Sequence, residues 1–283
     1  ALMIAMVFVA FLPNQYNRLP LFLMAVSAIF PYIDKISPGE VHIETLDVGQ
    51  GLAVGIRTSK HMMLYDTGVK FYKGSDMGQL AVIPYLDRLR IKKLDAVIIS
   101  HADIDHRGGL PSIEKQFPVQ TLIVDNPDFY HRGVSCHHYP AWNWDGVSFR
   151  FFAIDDTLPG KNNHSCVLQV QTKTGKMLLS GDIEKGAERY LVKTYGKQLQ
   201  SDVLLVPHHG SKTSSSPLFL KHVEPQYAIA SYGFANRYHF PHRKVMAEYA
   251  KKQIGVYDTV HCGMASVRFT RHGLLPVKCF NHA

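Results

Sequence analysis

Cysteine is scarce in this chain, with four residues in 283 and none in a C-x-x-C pair. That spacing excludes a zinc ribbon and a thioredoxin-type redox site. Cys136, Cys166, Cys262 and Cys279 are then buried thiols or, outside the cytoplasm, two disulfides with about three connectivities open. Cys136, in a loop, is the one expected to seek a partner. Low-complexity tracts, collagen-like triplets and internal repeats are also missing. At 46% hydrophobic and 19% charged residues the chain can bury a large core. One folded domain with an appendage is the expected count.

Acidic residues are absent before Asp34, and so is any apolar run of full bilayer length. Ala1 to Leu12 is unbroken and Leu19 to Ile33 is a second run, with Pro20 and Pro31 at its ends. Each falls short of the roughly 20 residues that cross a bilayer. The preferred reading is that the sequence begins inside a transmembrane helix of a longer protein and that Leu19 to Ile33 is a short last helix. A signal peptide would need a charged start and a small-residue cleavage site. Arg18 between the runs places that loop on the cytoplasmic side and everything after Ile33 on the outer face.

The net charge is +8, from 31 basic and 23 acidic residues. Only Arg18 precedes Asp34, leaving 30 − 23 = +7 on the remainder. A basic surface favours polyanions or anionic lipid headgroups.

Among what is present, one segment dominates. His101-Ala102-Asp103-Ile104-Asp105-His106-Arg107-Gly108-Gly109 comes directly after the apolar run Ala96-Val97-Ile98-Ile99-Ser100. Four side chains able to bind a divalent cation therefore leave the end of a buried strand together, ahead of a glycine turn that lets them converge. The plain alternative, an exposed polar loop capping a strand, is weakened by two more strand ends of the same kind. Lys176 to Ser180 is a strand that runs into Gly181-Asp182. Val203 to Val206 is another that runs into Pro207-His208-His209-Gly210.

Elsewhere, Glu40 to Tyr65 reads as an antiparallel meander ending in Asp66-Thr67-Gly68. Leu80 to Leu89 has helical spacing, and from there helices alternate with strands at Asp95 to Ser100 and Leu122 to Asp125. Val147 to Ile154 and Cys166 to Thr172 are strand-like, as are Tyr227 to Ser231, Val256 to His261 and Ser266 to Phe269. Glu184 to Tyr195 and the segment from Pro217 to Val223 are helical. Two mixed sheets with helices outside satisfy this α/β order.

In the metal constellation, Asp105 and His106 are expected to bind one ion and His101 and Asp103 the other, with Asp182 bridging. Adjacent residues on an extended strand point apart, so one of His208 and His209 is a ligand. His209 is preferred, leaving His208 for a supporting or acid role. Gly210-Ser211-Lys212-Thr213-Ser214-Ser215-Ser216-Pro217 precedes a helix. Beyond ordinary capping, Ser211, Lys212, Thr213 and Ser214 offer an anion site suited to phosphate. His164, in Asn162-Asn163-His164-Ser165, is a further candidate ligand, and His239 and His242 lie in a proline-bent loop that can return to the site. The aromatic loop Phe129 to Trp144 packs within itself or stacks on unpaired bases, self-packing being favoured.

These residues resemble the metallo-β-lactamase superfamily, whose motif is H-x-H-x-D-H with a late Asp and further His ligands after it. In this chain Asp103 replaces the second His. That departure belongs to a wider pattern. It includes Leu46-Asp47-Val48-Gly49-Gln50-Gly51, Asp66-Thr67-Gly68, Asn163 and Ser165, Gly181-Asp182 and Pro207-His208-His209-Gly210-Ser211. Together these look like the C-terminal domain of ComEC-type competence proteins, over Glu40 to about Phe280. Where many relatives carry H-P-H, this chain has Phe240-Pro241-His242, with His239 moved back by one.

The resemblance implies a four-layer αββα sandwich of metallo-β-lactamase type, preceded by one or two transmembrane segments. The expected boundaries are 1–33 for the end of the membrane region, 34–40 for a linker and 41–283 for the hydrolase-like domain. It implies an inner-membrane channel that takes up single-stranded DNA during natural transformation. This domain would be the nuclease for the strand not imported, on the periplasmic or outer face, with DNA, the membrane and other competence proteins as partners.

The expected chemistry is a two-metal phosphodiesterase with manganese or zinc, Asp103 making the site harder than a histidine-rich one. Asp105, His208, Lys212 and His242 are the expected catalytic groups, with Lys212 stabilising charge and a histidine protonating the departing oxygen. Two other readings fit the same residues. One is a hydrolase of small esters, lactones or phosphodiesters, and the other is a DNA-gripping module without catalysis.

Overall fold

A computed structural model describes residues 35–280, so the expected membrane segments lie outside the described residues. Among the described residues no helix is long and apolar enough to cross a membrane.

The strands form two sheets. In the first, β1 (Val41–Leu46), β2 (Val54–Arg57) and β3 (Met62–Tyr65) are an antiparallel meander, and β4 (Ala96–Ile99), β5 (Leu122–Val124) and β6 (Val134–Ser135) continue it in parallel. In the second, β7 (Trp142–Trp144), β8 (Val147–Phe152), β9 (Val167–Gln171) and β10 (Lys176–Leu179) are antiparallel. The parallel strands β11 (Val203–Leu205), β12 (Tyr227–Ala230) and β13 (Gly255–Asp258) then extend it. The late strand β14 (Met264–Thr270) returns to pair β1, and β15 (Gly273–Leu274) and β16 (Lys278–Cys279) pair β14. Each sheet is thus half antiparallel and half parallel.

Alternation along the strands sets the layers. Ala96 and Ile98 of β4 face the second sheet, where they join Leu168, Met177, Leu179 and Leu205 in the core between the sheets. Val97 and Ile99 face the other way. They pack on Leu86 of α1 (Ile83–Arg88) and on Leu110 and Ile113 of α3 (Leu110–Gln116), which comes after the single turn α2 (Ile104–Arg107). A fourth short helix, α4 (Pro127–Tyr130), lies in the aromatic segment. On the second sheet Leu178, Leu204 and Ala228 are covered by three helices. These are α5 (Lys185–Tyr195), α6 (Pro217–Val223) and α7 (Arg243–Lys251), through Leu191, Phe219, Val223 and Tyr249. Strands buried on both faces need apolar residues at consecutive positions, which is why β4, β10 and β11 read as unbroken runs. The result is an αββα sandwich, as expected.

Several local readings change. Leu80 is 60% exposed, because the helical segment begins as a π-helical turn at Gly78–Val82 and buries Val82, Ile83 and Leu86 instead. The tail of the expected strand Val256 to His261 winds into helix α8 (Thr259–Cys262), whose first turn is capped by Asp258. Trp142 and Trp144, placed in an irregular stretch by sequence, form edge strand β7. There they pack partly within the segment, Trp142 against Tyr139 and Trp144, and partly beyond it, Trp142 stacked on Phe149 at 5.1 Å and Trp144 on His61 at 4.8 Å. The cysteines pair Cys136 with Cys166 and Cys262 with Cys279.

At the end of the sandwich away from the parallel strand tips, the β2–β3 and β7–β8 turns are tied by Asp145. Its carboxylate accepts from Thr58 Oγ1 at 2.6 Å and the Lys60 amide at 2.8 Å, and meets His61 Nδ1 at 3.0 Å. Burial pushes this carboxyl up, but the bonds from Thr58, His61 and Lys60 outweigh it and bring the pKa down to about 2. A depressed carboxylate stabilises the fold above its ordinary pKa, and that contribution disappears as pH falls through the lowered value. Asp145→Ala is therefore expected to cost about 1–2 kcal/mol near neutral pH. In denaturant unfolding the gap to wild type should stay constant above pH ~4 and close toward pH ~2. A gap independent of pH would show that the carboxylate is not the tie.

Candidate metal centre

The parallel halves of both sheets end at the same edge, and chemistry in open α/β sheets gathers outside the carboxyl ends of parallel strands. Beyond β3 comes Asp66, beyond β4 His101 to His106, beyond β10 Asp182, beyond β11 His208 and His209, and beyond β12 Ser231. The sheets bond to each other at this edge. The Cys166 amide donates to the Ser100 carbonyl at 2.8 Å, and Ser231 Oγ donates to the Gly51 carbonyl at 2.7 Å.

Three buried imidazoles are each held through Nδ1. His106 Nδ1 meets Asp66 Oδ2 at 2.8 Å, His209 Nδ1 donates to the Ser231 carbonyl at 2.7 Å, and His101 Nδ1 lies 3.1 Å from Ser100 Oγ. Because a carbonyl only accepts, the His209 proton sits on Nδ1 and its Nε2 carries a lone pair. The free Nε2 atoms converge. His106 Nε2 is 3.2 Å from His209 Nε2, and Asp182 Oδ2 is 3.3 Å from the first and 3.4 Å from the second. Asp105 Oδ2 closes the group at 3.6 Å from His209 Nε2. His101, His106 and Asp182 form one set able to hold a metal ion, and Asp105, His106 and His209 form another.

Two observations test whether a cation fits. His101 Nε2 is buried with no hydrogen-bond partner, and its nearest carboxylate oxygen, on Asp103, stands at 3.5 Å, beyond hydrogen-bond range. His106 and His209 point ring nitrogens at each other across 3.2 Å, a contact that needs a positive charge between them. The donor set of imidazole and carboxylate suits a divalent ion of the zinc or manganese type. Without one, protons carry the charge. Burial pulls His106 down, yet Asp182 and Asp66 overcome it and hold its pKa well above the ordinary value. Asp182, pushed up by burial, is held well below the carboxylate range by His106 and His209.

The expected division of ligands changes in one respect. His106 belongs to both sets and does not pair with Asp105 alone, because α2 carries its Nε2 to 4.0 Å from Asp105 Oδ2 and 3.3 Å from Asp182 Oδ2. Asp103 stays at the rim, ion-paired with Lys161 and near His101. The neighbouring His101 imidazole, then Lys161, hold its carboxyl far below the usual range. His208 and His209 do diverge, but not by strand alternation. Both have positive φ, 50° and 53°, in a tight turn. His209 turns into the cluster, while His208 lies half-buried between Asp182 Oδ2 at 3.8 Å and Thr213 Oγ1 at 3.2 Å.

Four other expected residues or segments lie outside the two ligand sets. His164 turns its Nε2 to the Leu158 carbonyl at 2.9 Å and joins neither ligand set, because the loop after Gly160 folds back on itself. His242 caps α7, its Nδ1 accepting from the Lys244 amide at 3.3 Å, and it also joins neither set. Lys212 is exposed, and only its backbone carbonyl is engaged, by Lys185. The segment from Ser211 to Ser214, read as a phosphate site, lies next to a protein anion. Buried Glu188 of α5 accepts from the amides of Ser215 and Ser216, and Ser214 Oγ donates to the Pro207 carbonyl at 2.8 Å.

Sequence reasoning assigned no role to Asp66, Ser231 or Glu188. Asp66 was visible as the end of β3, and its meaning depends on β3 and β4 pairing in parallel with Tyr65 beside Ile98. Its Oδ1 then accepts from the Ser100 amide at 2.6 Å and its Oδ2 orients His106. Two glycines allow the crowding. A Cβ on Gly51, at φ +145°, would meet the Asp105 carbonyl oxygen at 2.4 Å. One on Gly181, at φ +52°, would meet Ser165 and Ser100 side chains at 2.9 and 3.0 Å. Ser165 Oγ in turn accepts from the Asp182 amide at 3.1 Å.

A sandwich of this kind with histidines and aspartates gathered at the strand ends defines a metal-dependent hydrolase fold. The chain belongs to the metallo-β-lactamase superfamily, whose model matches residues 46–233. It is 36% identical over 237 residues to competence protein ComA of Neisseria gonorrhoeae, covering 81% of this chain and 33% of that protein. It is 38% identical over 238 residues to Recombination protein 2 of Haemophilus influenzae, covering 83% and 30%. The chain spans about a third of the length of these relatives. Among solved structures, the metallo-beta-lactamase fold protein YhfI from Bacillus subtilis superposes with a TM-score of 0.53 at 12% identity. That match covers 77% of this chain and 95% of YhfI, a likeness of fold.

Carboxylates that orient a ligating histidine typically contribute 10- to 100-fold in metal affinity, roughly. Asp66→Asn is expected to weaken manganese or zinc binding by about that factor in titration calorimetry. Unchanged affinity would show that Asp66 does not orient His106.

Proposed function

We propose that this chain is the nuclease domain of a membrane DNA-uptake machine, hydrolysing phosphodiester bonds in DNA with two divalent cations. The observation that carries the reading is the convergence of three Nδ1-anchored imidazoles with Asp105 and Asp182. His101, His106, Asp105, Asp182 and His209 would hold the cations, with Asp103 at the rim and Asp182 between the two sets. The cations, when bound, supply a nucleophile at neutral pH and Lewis acidity toward phosphorus.

The protein's own groups orient and neutralise. His208 stands 3.8 Å from Asp182 Oδ2 at the edge of the ligand sets, a place from which it can pass a proton to the departing oxygen. The net charge of +8 favours a polyanion, and relatives named for competence and recombination support DNA as that polyanion. Residues 1–33 are read as the end of a membrane region, 34–40 as a linker and 41–283 as the hydrolase domain. The domain is read as lying on the outer face of the inner membrane, alongside other competence proteins. Two cystines, Cys136–Cys166 and Cys262–Cys279, support an oxidising compartment.

The test is cleavage of labelled DNA by the 283-residue chain with manganese or zinc and with chelator. Cleavage with metal is expected, with chelator abolishing it. Asp182→Ala and Asp105→Ala are expected to lower it by about three orders of magnitude or more while DNA binding persists. Metal binding without cleavage of any DNA strand would overturn the nuclease reading and leave a gripping module.

A further inference from the structure

Beside the metal centre lies a cavity of about 480 Å³ in the loop after β12, with Tyr232, Phe234, Arg237, His239, Phe240 and His261 among its walls. It is built of aromatic faces, two imidazoles and a guanidinium. Phe240 is the wall it shares with the centre, its ring stacked on His209 at 6.4 Å and 25° and lying 5.8 Å from His208. Tyr238 also stacks on Phe240, at 5.4 Å and 20°, and the Arg237 guanidinium lies 4.8 Å over Tyr238. A continuous ladder of flat groups thus leads from a buried ligand to the surface.

The loop is braced from within. Asn236 Nδ2 donates to the carbonyls of Gly233 at 3.0 Å and Phe240 at 2.7 Å, and its Oδ1 accepts from the Phe240 amide at 2.9 Å. Gly233 anchors it to the turn beneath Asp105, its amide donating to Gln50 Oε1 at 3.3 Å. Phe234, by contrast, is 85% exposed and contributes nothing to the core. An aromatic ring held in water at the mouth of a braced cavity is a binding surface in need of a flat partner.

We infer that this cavity is a nucleobase subsite, taking one unpaired base of the DNA strand whose phosphate reaches the metal centre. The inference rests on the nuclease reading and extends it to strand state. In a polyphosphodiester the flat apolar groups next to a phosphate are the bases. A π-face stacks on aromatic and guanidinium groups whatever the base. Bases within a duplex are already stacked and hydrogen-bonded, so only a single strand or a frayed end offers one. The aromatic segment Phe129 to Trp144 is a poorer candidate because Trp142 and Trp144 are spent on packing against Phe149 and His61.

The experiment measures binding of the full 283-residue chain to fluorescently labelled oligothymidylate and to the same backbone carrying abasic sites, in chelator so that nothing is cleaved. The base-bearing strand is expected to bind about tenfold more tightly than the abasic one, and a blunt duplex of equal charge to gain nothing from its bases. Phe234→Ala should remove the preference and Phe234→Tyr should restore it. Equal binding of both strands by wild type, or full preference in Phe234→Ala, would overturn the subsite. Because no metal is present, base preference without cleavage in the metal assay defeats the nuclease reading alone. Cleavage without base preference defeats the subsite alone.

Discussion

The centre depends on how its imidazoles are gripped. A histidine offers two nitrogens, and a metal site needs one of them free with its ring fixed. Here the carboxylate of Asp66, the carbonyl of Ser231 and the hydroxyl of Ser100 each hold one Nδ1, which leaves Nε2 of His106 and His209 3.2 Å apart and His101 in a ligand set with His106 and Asp182. None of these holders is adjacent to the cluster by chance. Asp66 and Ser100 end neighbouring parallel strands, and Ser231 ends the strand beside the one that delivers His209. Parallel pairing in both sheets is thus what converts strand ends into a ligand set.

The crowding at that edge has a cost in backbone conformation. His208 and His209 both sit at positive φ, uncommon for residues with a side chain, and Asp66 does so as well. Gly51 and Gly181 take the positions where a Cβ would strike Asp105 in the one case and Ser165 and Ser100 in the other. Strain of this kind persists when surrounding contacts over-determine it. The cross-sheet bonds from Cys166 to Ser100 and from Ser231 to Gly51 supply that constraint. Deep packing between the sheets then keeps the two halves of the centre in register.

Much of this was legible in the chain itself. The runs Ala96 to Ser100, Lys176 to Ser180 and Val203 to Val206 announce buried strands, and each runs at once into groups that bind metal. What the run from Ser211 to Ser216 holds was less legible. Glu188, whose carboxylate accepts from the amides of Ser215 and Ser216, lies 27 and 28 residues away and is buried by a helix packing that no local pattern encodes. His164 turns to a carbonyl of its own loop and His242 caps α7, contacts that residue type alone does not foretell.

By itself, then, the sequence determined the ligand chemistry, the alternation of faces and the strand-to-turn junctions, because these are properties of residue type and spacing. Tertiary structure decided which nitrogen of each ring is free, that His106 serves both ligand sets, and that Phe240 links the centre to an aromatic cavity. Those facts are distances between groups far apart in the chain. They exist only once two sheets have closed on one another and excluded water from the space between them.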